Sequence, residues 1–175
     1  MVYYSPTIRF AFFGAVIFCV ATALSIIFSL RGPDSVVHFT LFNAAMTDLL
    51  LYGFYSMVMF GAIYYITPRL VGCEWLSSSM IKIHFLGSAY GGAMAVVVML
   101  FAGLAAGARA LDETSLFSQI LYNSKAYFSG RMLALILVSI GHTAFGFHFL
   151  FMLLRIGQPA GAPTLIAPLD QEDHH

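Results

Sequence analysis

The sequence has 175 residues, of which 60% are hydrophobic and only 9% are charged, and eight basic residues balance eight acidic ones. Soluble domains carry roughly a quarter charged residues, and nucleic-acid-binding domains present a basic surface, so the composition argues against both classes. A mean hydropathy of +0.86 excludes a disordered chain. The two cysteines, Cys19 and Cys73, do not suggest a disulfide framework. This composition is typical of an integral membrane protein.

Four apolar stretches are long enough to be transmembrane helices, which need about 20 residues to cross roughly 30 Å of hydrocarbon. In chain order, we expect the spans at residues 10–30, 41–66, 83–108 and 132–154. Arg or Lys flanks most of these ends, where a long side chain can reach the lipid headgroups. The sequence therefore predicts an all-α integral membrane protein with a single four-span domain over residues 1–155.

The first two connections contain signals that break or turn a helix. Gly32-Pro33-Asp34 predicts a turn after the first span. Pro68 follows the second apolar stretch and cannot donate a backbone hydrogen bond. We therefore expect the second helix to end at Pro68.

The third connection has the pattern of an amphipathic helix. Residues 112–128 carry an apolar stripe, and Asp112 or Thr114 is a candidate cap. This pattern predicts a segment that lies on the membrane surface. Residues 156–175 are rich in Pro, Gly and Ala and are expected to form an extended tail.

Charge alone does not orient the chain in the membrane. With four spans, each side of the membrane receives four basic residues, so the positive-inside rule has no difference to use. One side holds Arg9, Arg69, Lys82 and Arg155, and the other holds Arg31, Arg109, Lys125 and Arg131.

Asp48 is the only Asp, Glu, Lys or Arg inside the predicted spans. A charge at the centre of a spanning helix costs about 2.5–3.5 kcal/mol on insertion scales, so such residues are functional candidates. Two hypotheses are open: a carboxyl that is hydrogen-bonded to a neighbouring helix, or a group that handles protons or ions. We favour the structural hypothesis, because the predicted spans contain no second charged residue that would form a relay.

Three histidines lie in the last two spans: His84 starts the third, and His142 and His148 lie within the fourth. At 100° per residue, the six-residue spacing separates His142 and His148 by about 120° around the helix. A metal site on one helix would use an i, i+3 or i, i+4 pair instead. We therefore predict no metal site and expect the histidines to form hydrogen bonds between helices.

The third span carries small residues at a spacing used for close helix packing. Gly87 and Gly91 form a Gly-x-x-x-Gly motif, and Gly103 and Gly107 form a second one. Such motifs let two helix backbones approach closely. The pattern predicts a tightly packed partner helix, in this chain or in another.

Several motifs from the second span onward occur together. They are His38-Phe39-Thr40, Tyr52-Gly53-Phe54, Phe60-Gly61-Ala62-Ile63-Tyr64-Tyr65, Pro68-Arg69-Leu70 and Ile83-His84-Phe85. In this combination the chain resembles the catalytic subunit of cbb3-type cytochrome c oxidases, in the haem–copper oxidase superfamily that also includes nitric oxide reductases. The resemblance covers nearly the whole chain and implies that its spans correspond to the last four of twelve. It also implies a bacterial inner-membrane location with both termini in the cytoplasm.

The same resemblance implies where haem ligands would lie. The corresponding helix of the family carries His-x-His, and residues two apart point about 200° apart, so that one helix can serve two haems. Here Met46 and Asp48 occupy those positions. Met can ligate haem iron, but Asp is not a usual axial ligand. The family's other haem and copper ligands lie on earlier helices, and His38 matches only the scaffold. We therefore predict no haem, no copper and no catalytic residue in this chain.

The predicted function is a haem-free accessory or structural subunit of a cbb3-like respiratory oxidase, whose partner subunit holds the haem and copper. The expected partners are the catalytic subunit, other membrane respiratory subunits and the lipid bilayer, and not nucleic acid. Asp48, His38, Gly87 and Gly91 are the residues predicted to serve packing and assembly. Two alternatives are a redox-active haem-binding fragment of an oxidase or nitric oxide reductase, and a proton conduit that uses Asp48.

Overall fold

Helices account for nearly all of the computed structural model, which describes residues 5–112 and 116–154. Four of the helices are long and apolar enough to cross a membrane, and no strand occurs in the described ranges. The predicted all-α, four-span fold is confirmed. In chain order the helices are α1 (Pro6–Phe28), α2 (Arg31–Val37), α3 (Leu41–Val71), α4 (Ser78–Ala110) and α5 (Phe117–Leu153). The predicted tail at 156–175 and the candidate cap Thr114 lie outside the described residues.

The short helix α2 replaces the turn predicted after the first span. Pro33 lies in the first turn of α2, where its missing N–H is not needed by the helix. The chain then bends at Phe39, which has a left-handed φ of 60°. Thr40 caps α3, because its Oγ1 accepts a hydrogen bond from the N–H of Phe42 at 3.2 Å.

The middle of α3 is a π-helix. Leu49–Tyr55 is π-helical, and the segments before and after it are α-helical. Both the N–H and the Oγ of Ser56 donate to the carbonyl of Leu51, five residues earlier. Such wide turns are rare and frequently accompany functional sites. This one begins at the residue after Asp48.

Pro68 does not end the second span, contrary to the prediction. α3 continues to Val71 and ends at Gly72, which has a left-handed φ of 69°. The N–H of Gly72 donates to the carbonyl of Pro68 at 2.9 Å. Pro68 therefore sits in the last helical turn, where it removes a single backbone hydrogen bond, the one to Tyr64.

The structure also does not show a separate amphipathic segment at 112–128. From Phe117 onward it belongs to α5, a continuous helix of 37 residues. At 1.5 Å per residue, this helix is about 55 Å long, well beyond the roughly 30 Å of hydrocarbon. Gly130, at the junction, does not break the helix, because one glycine in a helix costs only about 1 kcal/mol.

The helices pack mainly against their neighbours in the sequence. α1 packs against α3, the beginning of α3 packs with α2 against α4, and α4 has its largest interface with α5. Two clusters of buried side chains lie between these helices. One contains Phe10, Met57, Tyr64 and Ala89, and the other contains Ala21, Leu49 and Val96.

Candidate functional site

Asp48 forms an ion pair with Arg131 across the bundle. The Nη2 group of Arg131 donates to Oδ2 of Asp48 at 2.5 Å, and the two side chains are 30% and 17% exposed, respectively. The pair connects the beginning of α3 with α5, at residues 83 positions apart. Because each charge compensates the other, the pair offsets the cost of placing Asp48 in a spanning helix. Asp48 thus lies in a contact between two spanning helices.

Arg131 is the residue that the sequence reasoning missed. The apolar pattern places Arg131 at the boundary of the fourth span, whereas in the structure it lies at a partly buried position within the continuous helix α5. Its Nε is buried without a hydrogen-bond partner among the described residues. The four-span topology could have indicated this contact, because the second and fourth spans begin on the same side of the membrane. Asp48 and Arg131 each lie near that side.

The side chain of Met46 packs against other helices than the side chain of Asp48 does. It is partly buried and packs against the cluster of Ala21, Leu49 and Val96, between α1 and α4. Two residues apart on a helix correspond to about 200° of rotation, so the two side chains leave α3 in nearly opposite directions. One of the two positions is therefore used for apolar packing, and the other for an ion pair.

His84 and Tyr64 form a buried hydrogen bond. The Tyr64 hydroxyl lies 2.9 Å from Nδ1 of His84, and the two residues are 3% and 0% exposed. The bond joins α3 to α4, which is the use expected of this histidine. The His142 ring lies 5.5 Å from the His84 ring, between centroids. The Nε2 atoms of both histidines have no hydrogen-bond partner among the described residues.

His148 fixes the connection between α3 and α4 to the end of α5. Its Nε2 accepts a hydrogen bond from the N–H of Ser77 at 3.0 Å. The indole ring of Trp75 packs on the imidazole, with 4.9 Å between the ring centroids. His148 therefore joins a connection to a helix, while the prediction was a bond between two helices.

The structure places no cluster of metal-ligating side chains among the described residues. No three His, Cys, Asp or Glu side chains in residues 5–112 and 116–154 lie close enough together to hold a metal ion. His38, predicted to be part of the scaffold, lies at the end of α2 with a half-exposed side chain. Its Nδ1 is 3.3 Å from Oδ1 of Asp34, four residues earlier.

Gly87 and Gly91 have a partner helix within the chain. A Cβ atom at Gly87 would lie 2.8 Å from the carbonyl oxygen of Leu137, and one at Gly91 would lie 2.9 Å from Cγ2 of Val138. The tightly packed partner of this motif is therefore α5. The second motif contacts other elements: Gly103 touches the backbone of Phe42 in α3, and Gly107 touches the carbonyl of Val36 in α2.

The sequence matches one protein family over most of its length. The model of the family described as Cytochrome C and Quinol oxidase polypeptide I matches residues 1–144. The chain belongs to this family. It is therefore related to subunit I of the haem–copper oxidases, as the sequence motifs indicated. No curated protein matches the chain.

The resemblance predicts haem ligands at two positions of α3, but the residues of this family member do not fit haem there. The carboxylate of Asp48 is held by Arg131, and Asp is not a usual axial ligand. Met46 has a suitable thioether but directs it into apolar packing. No redox step is derived from these two residues.

Proposed function

We propose that the chain is a haem-free accessory subunit of a cbb3-like respiratory oxidase, related to the C-terminal four helices of the catalytic subunit. The observation that supports it most is the Asp48–Arg131 pair. Asp48 stands where the family resemblance would place a haem ligand, and its carboxylate instead joins α3 to α5 through Arg131. The role is then structural: the chain packs against the catalytic subunit, which holds the haem and copper.

The exposed apolar surface of the bundle offers contact area for an assembly role. Large apolar side chains on α1 remain exposed in the isolated chain, including Phe12 at 65% and Ile26 at 63%. A spanning helix buries such side chains in lipid or against other spanning helices. In this proposal, part of the surface contacts the catalytic subunit in the bacterial inner membrane, and both termini face the cytoplasm.

The two alternative functions have less support. A proton conduit through Asp48 needs a second group that can release a proton, and the neighbour of Asp48 is an arginine, whose guanidinium stays protonated in proteins. A redox-active fragment needs an axial ligand, and Met46 lies in apolar packing. The ion pair therefore favours the structural role over both.

Purification of the oxidase complex through a tagged copy of this chain tests the proposal. We expect the chain to purify with a separate catalytic subunit that carries all of the haem. After the chain is separated from that subunit, a pyridine haemochrome assay should show no stoichiometric haem in it. The variants Met46→Ala and Met59→Ala, the latter at an exposed position of the same helix, should both leave the haem content of the complex unchanged.

Two results would overturn the proposal. One is about one haem per separated chain that disappears in Met46→Ala and persists in Met59→Ala. The other is a chain that purifies from native membranes without any oxidase subunit.

A further inference from the structure

A cavity of about 160 Å³ lies between α1, α3 and α4, beside the π-helical turn of α3. Leu49 and Gly53 of that turn line the cavity. The contact between α1 and α3 is close here, because a Cβ atom at Gly53 would lie 2.6 Å from Cγ2 of Ile17. The side towards α4 leaves more space: a Cβ atom at Gly92, which also lines the cavity, would meet no atom within 4 Å.

Two neighbouring glycines of α4 have opposite effects on packing. At Gly91, a Cβ atom would lie 2.9 Å from Cγ2 of Val138, so this glycine lets α4 pack closely against α5. Gly92 follows about 100° further around the helix and lines the cavity instead. No close contact requires a glycine at position 92, so the absence of a side chain there leaves the cavity open.

The lining of the cavity is apolar except for one hydroxyl group. Among the described residues, Ser88 is the only lining residue with a polar side chain. Ser88 is 6% exposed, and its Oγ is buried without a hydrogen-bond partner in the described part of the chain. Serines in helices can donate to the carbonyl four residues earlier, as Ser124 and Ser139 do at 2.9 Å each. Because Ser88 makes no such bond, its hydroxyl is available to a bound molecule.

The size and polarity of the cavity together indicate what it can hold. A buried water makes about three hydrogen bonds, whereas the side chains of this lining offer only the hydroxyl of Ser88. An apolar cavity of about 150 Å³ stays dry and binds benzene. An acyl chain would match the apolar walls but would leave the hydroxyl of Ser88 without a partner. The best match is a small molecule with an apolar body and one polar group.

We propose that this cavity binds one small, neutral, lipophilic molecule of about the size of benzene, with a single group that forms a hydrogen bond with Ser88. The molecule enters from the bilayer, since Val20 and Val97 both line the cavity and are 43% and 48% exposed. A compound dissolved in the lipid therefore reaches the cavity without passing through water. The proposal does not depend on the accessory function, because it requires only that the chain spans a membrane.

The test compares two probes that differ by a single hydroxyl group. The full chain in detergent micelles is titrated with para-fluorophenol or with fluorobenzene, and fluorine NMR measures the bound fraction. Micelles without protein provide the blank, because both probes also partition into detergent. We expect saturable binding of one molecule of either probe per chain.

Ser88→Ala isolates the contribution of the hydroxyl. The variant should bind para-fluorophenol about fivefold more weakly, the factor that corresponds to one net hydrogen bond, and should bind fluorobenzene like the wild type. Ser139→Ala is the matched control, because this exposed hydroxyl bonds to the carbonyl of Leu135 and lies outside the cavity lining. The control should bind both probes like the wild type.

Gly92→Leu tests the cavity itself. The new side chain should occupy the space and abolish the binding of both probes. Gly146→Leu is the matched control, since a Cβ atom at this exposed glycine also meets nothing within 4 Å and the residue does not line the cavity. Circular dichroism verifies that each variant is folded.

Three results would overturn the proposal. One is the absence of saturable binding to the wild-type chain, and another is wild-type binding by a folded Gly92→Leu variant. The third is unchanged affinity of Ser88→Ala for para-fluorophenol, because the bound molecule would then make no use of the hydroxyl. Displacement of both probes by a stoichiometric amount of dioleoyl phosphatidylcholine would assign the cavity to an acyl chain instead.

Discussion

The indole Nε1 of Trp75 donates a hydrogen bond to the carbonyl oxygen of Tyr64 at a distance of 3.0 Å. In a regular helix, the N–H of residue 68 would bond to this carbonyl, but Pro68 has no N–H. A side chain from the connection after α3 therefore supplies the donor that the proline lacks. This explains why the helix tolerates Pro68 and continues to Val71.

A double-mutant cycle tests this compensation. Trp75→Phe should lower the free energy of unfolding by about 1 kcal/mol through the lost hydrogen bond, in addition to any packing loss. In a Pro68→Ala background, the new N–H can bond to Tyr64, so Trp75→Phe should cost less. Unfolding by SDS in mixed micelles, followed by circular dichroism, measures all four proteins. An identical cost in both backgrounds would contradict the compensation.

The Asp48–Arg131 pair should contribute to stability as a unit. Asp48→Leu leaves the guanidinium unpaired and should destabilise the chain by about 1–3 kcal/mol. Arg131→Met should have a similar effect, and the double variant should be more stable than either single one, because no unpaired charge remains. The exposed His38–Asp34 pair provides the control, since Asp34→Asn should cost no more than about 1 kcal/mol.

Asp48→Asn separates a structural role from proton transfer. The amide keeps an acceptor for Arg131 but cannot titrate. We expect lower stability than the wild type and higher stability than Asp48→Leu, together with unchanged proton-coupled turnover per assembled complex. Loss of turnover at normal complex yield would point to proton handling instead.

Substitutions at two glycines should have opposite effects on stability. Gly87→Ala places a methyl group against the backbone of α5 and should cost about 1–3 kcal/mol, since neither backbone can move away easily. At Gly146, a Cβ atom would meet nothing within 4 Å, so Gly146→Ala should gain up to about 1 kcal/mol through helix propensity. Thermal unfolding in detergent compares the two variants. Equal effects would mean that the α4–α5 seam is not closely packed.

The buried hydroxyl of Tyr64 should contribute more to the stability of the fold than an exposed tyrosine hydroxyl does. Tyr64→Phe removes the partner of His84 Nδ1 and should destabilise the chain by about 1–3 kcal/mol. Tyr90→Phe, at a side chain that is 68% exposed, should change stability by less than about 0.5 kcal/mol. If the two variants unfold at the same SDS concentration, the Tyr64–His84 bond does not stabilise the fold.

Hydropathy was sufficient to predict the number and type of the spans. It was less informative about their ends, because a helix can continue into the headgroup region where charged residues are tolerated. For this reason α4 begins at Ser78 rather than at residue 83, and α5 begins well before residue 132. Because the apolar run begins only after Arg131, hydropathy alone does not predict the contact between Arg131 and Asp48.

Other features depend on contacts that no local pattern encodes. The π-helical turn in α3 has no distinctive composition, and the bond from Trp75 to Tyr64 involves residues 11 positions apart. The small-residue motifs indicated close packing, but only the three-dimensional arrangement assigns Gly87 to α5 and Gly103 to α3. Sequence thus predicted which residues need partners more readily than which partners they have.

The order of helix packing has a consequence for biosynthesis. α1 packs against α3, α3 against α4, and α4 against α5, so the main partner of each new spanning helix precedes it in the chain. Each helix can therefore dock onto a finished surface as it leaves the ribosome and enters the bilayer. The Asp48–Arg131 pair can form only after the synthesis of α5 has begun, because Arg131 follows Asp48 by 83 residues. Until Arg131 is in place, the carboxyl group of Asp48 lies in a spanning helix without its partner, so an incomplete chain bears the full cost of inserting Asp48 into the membrane.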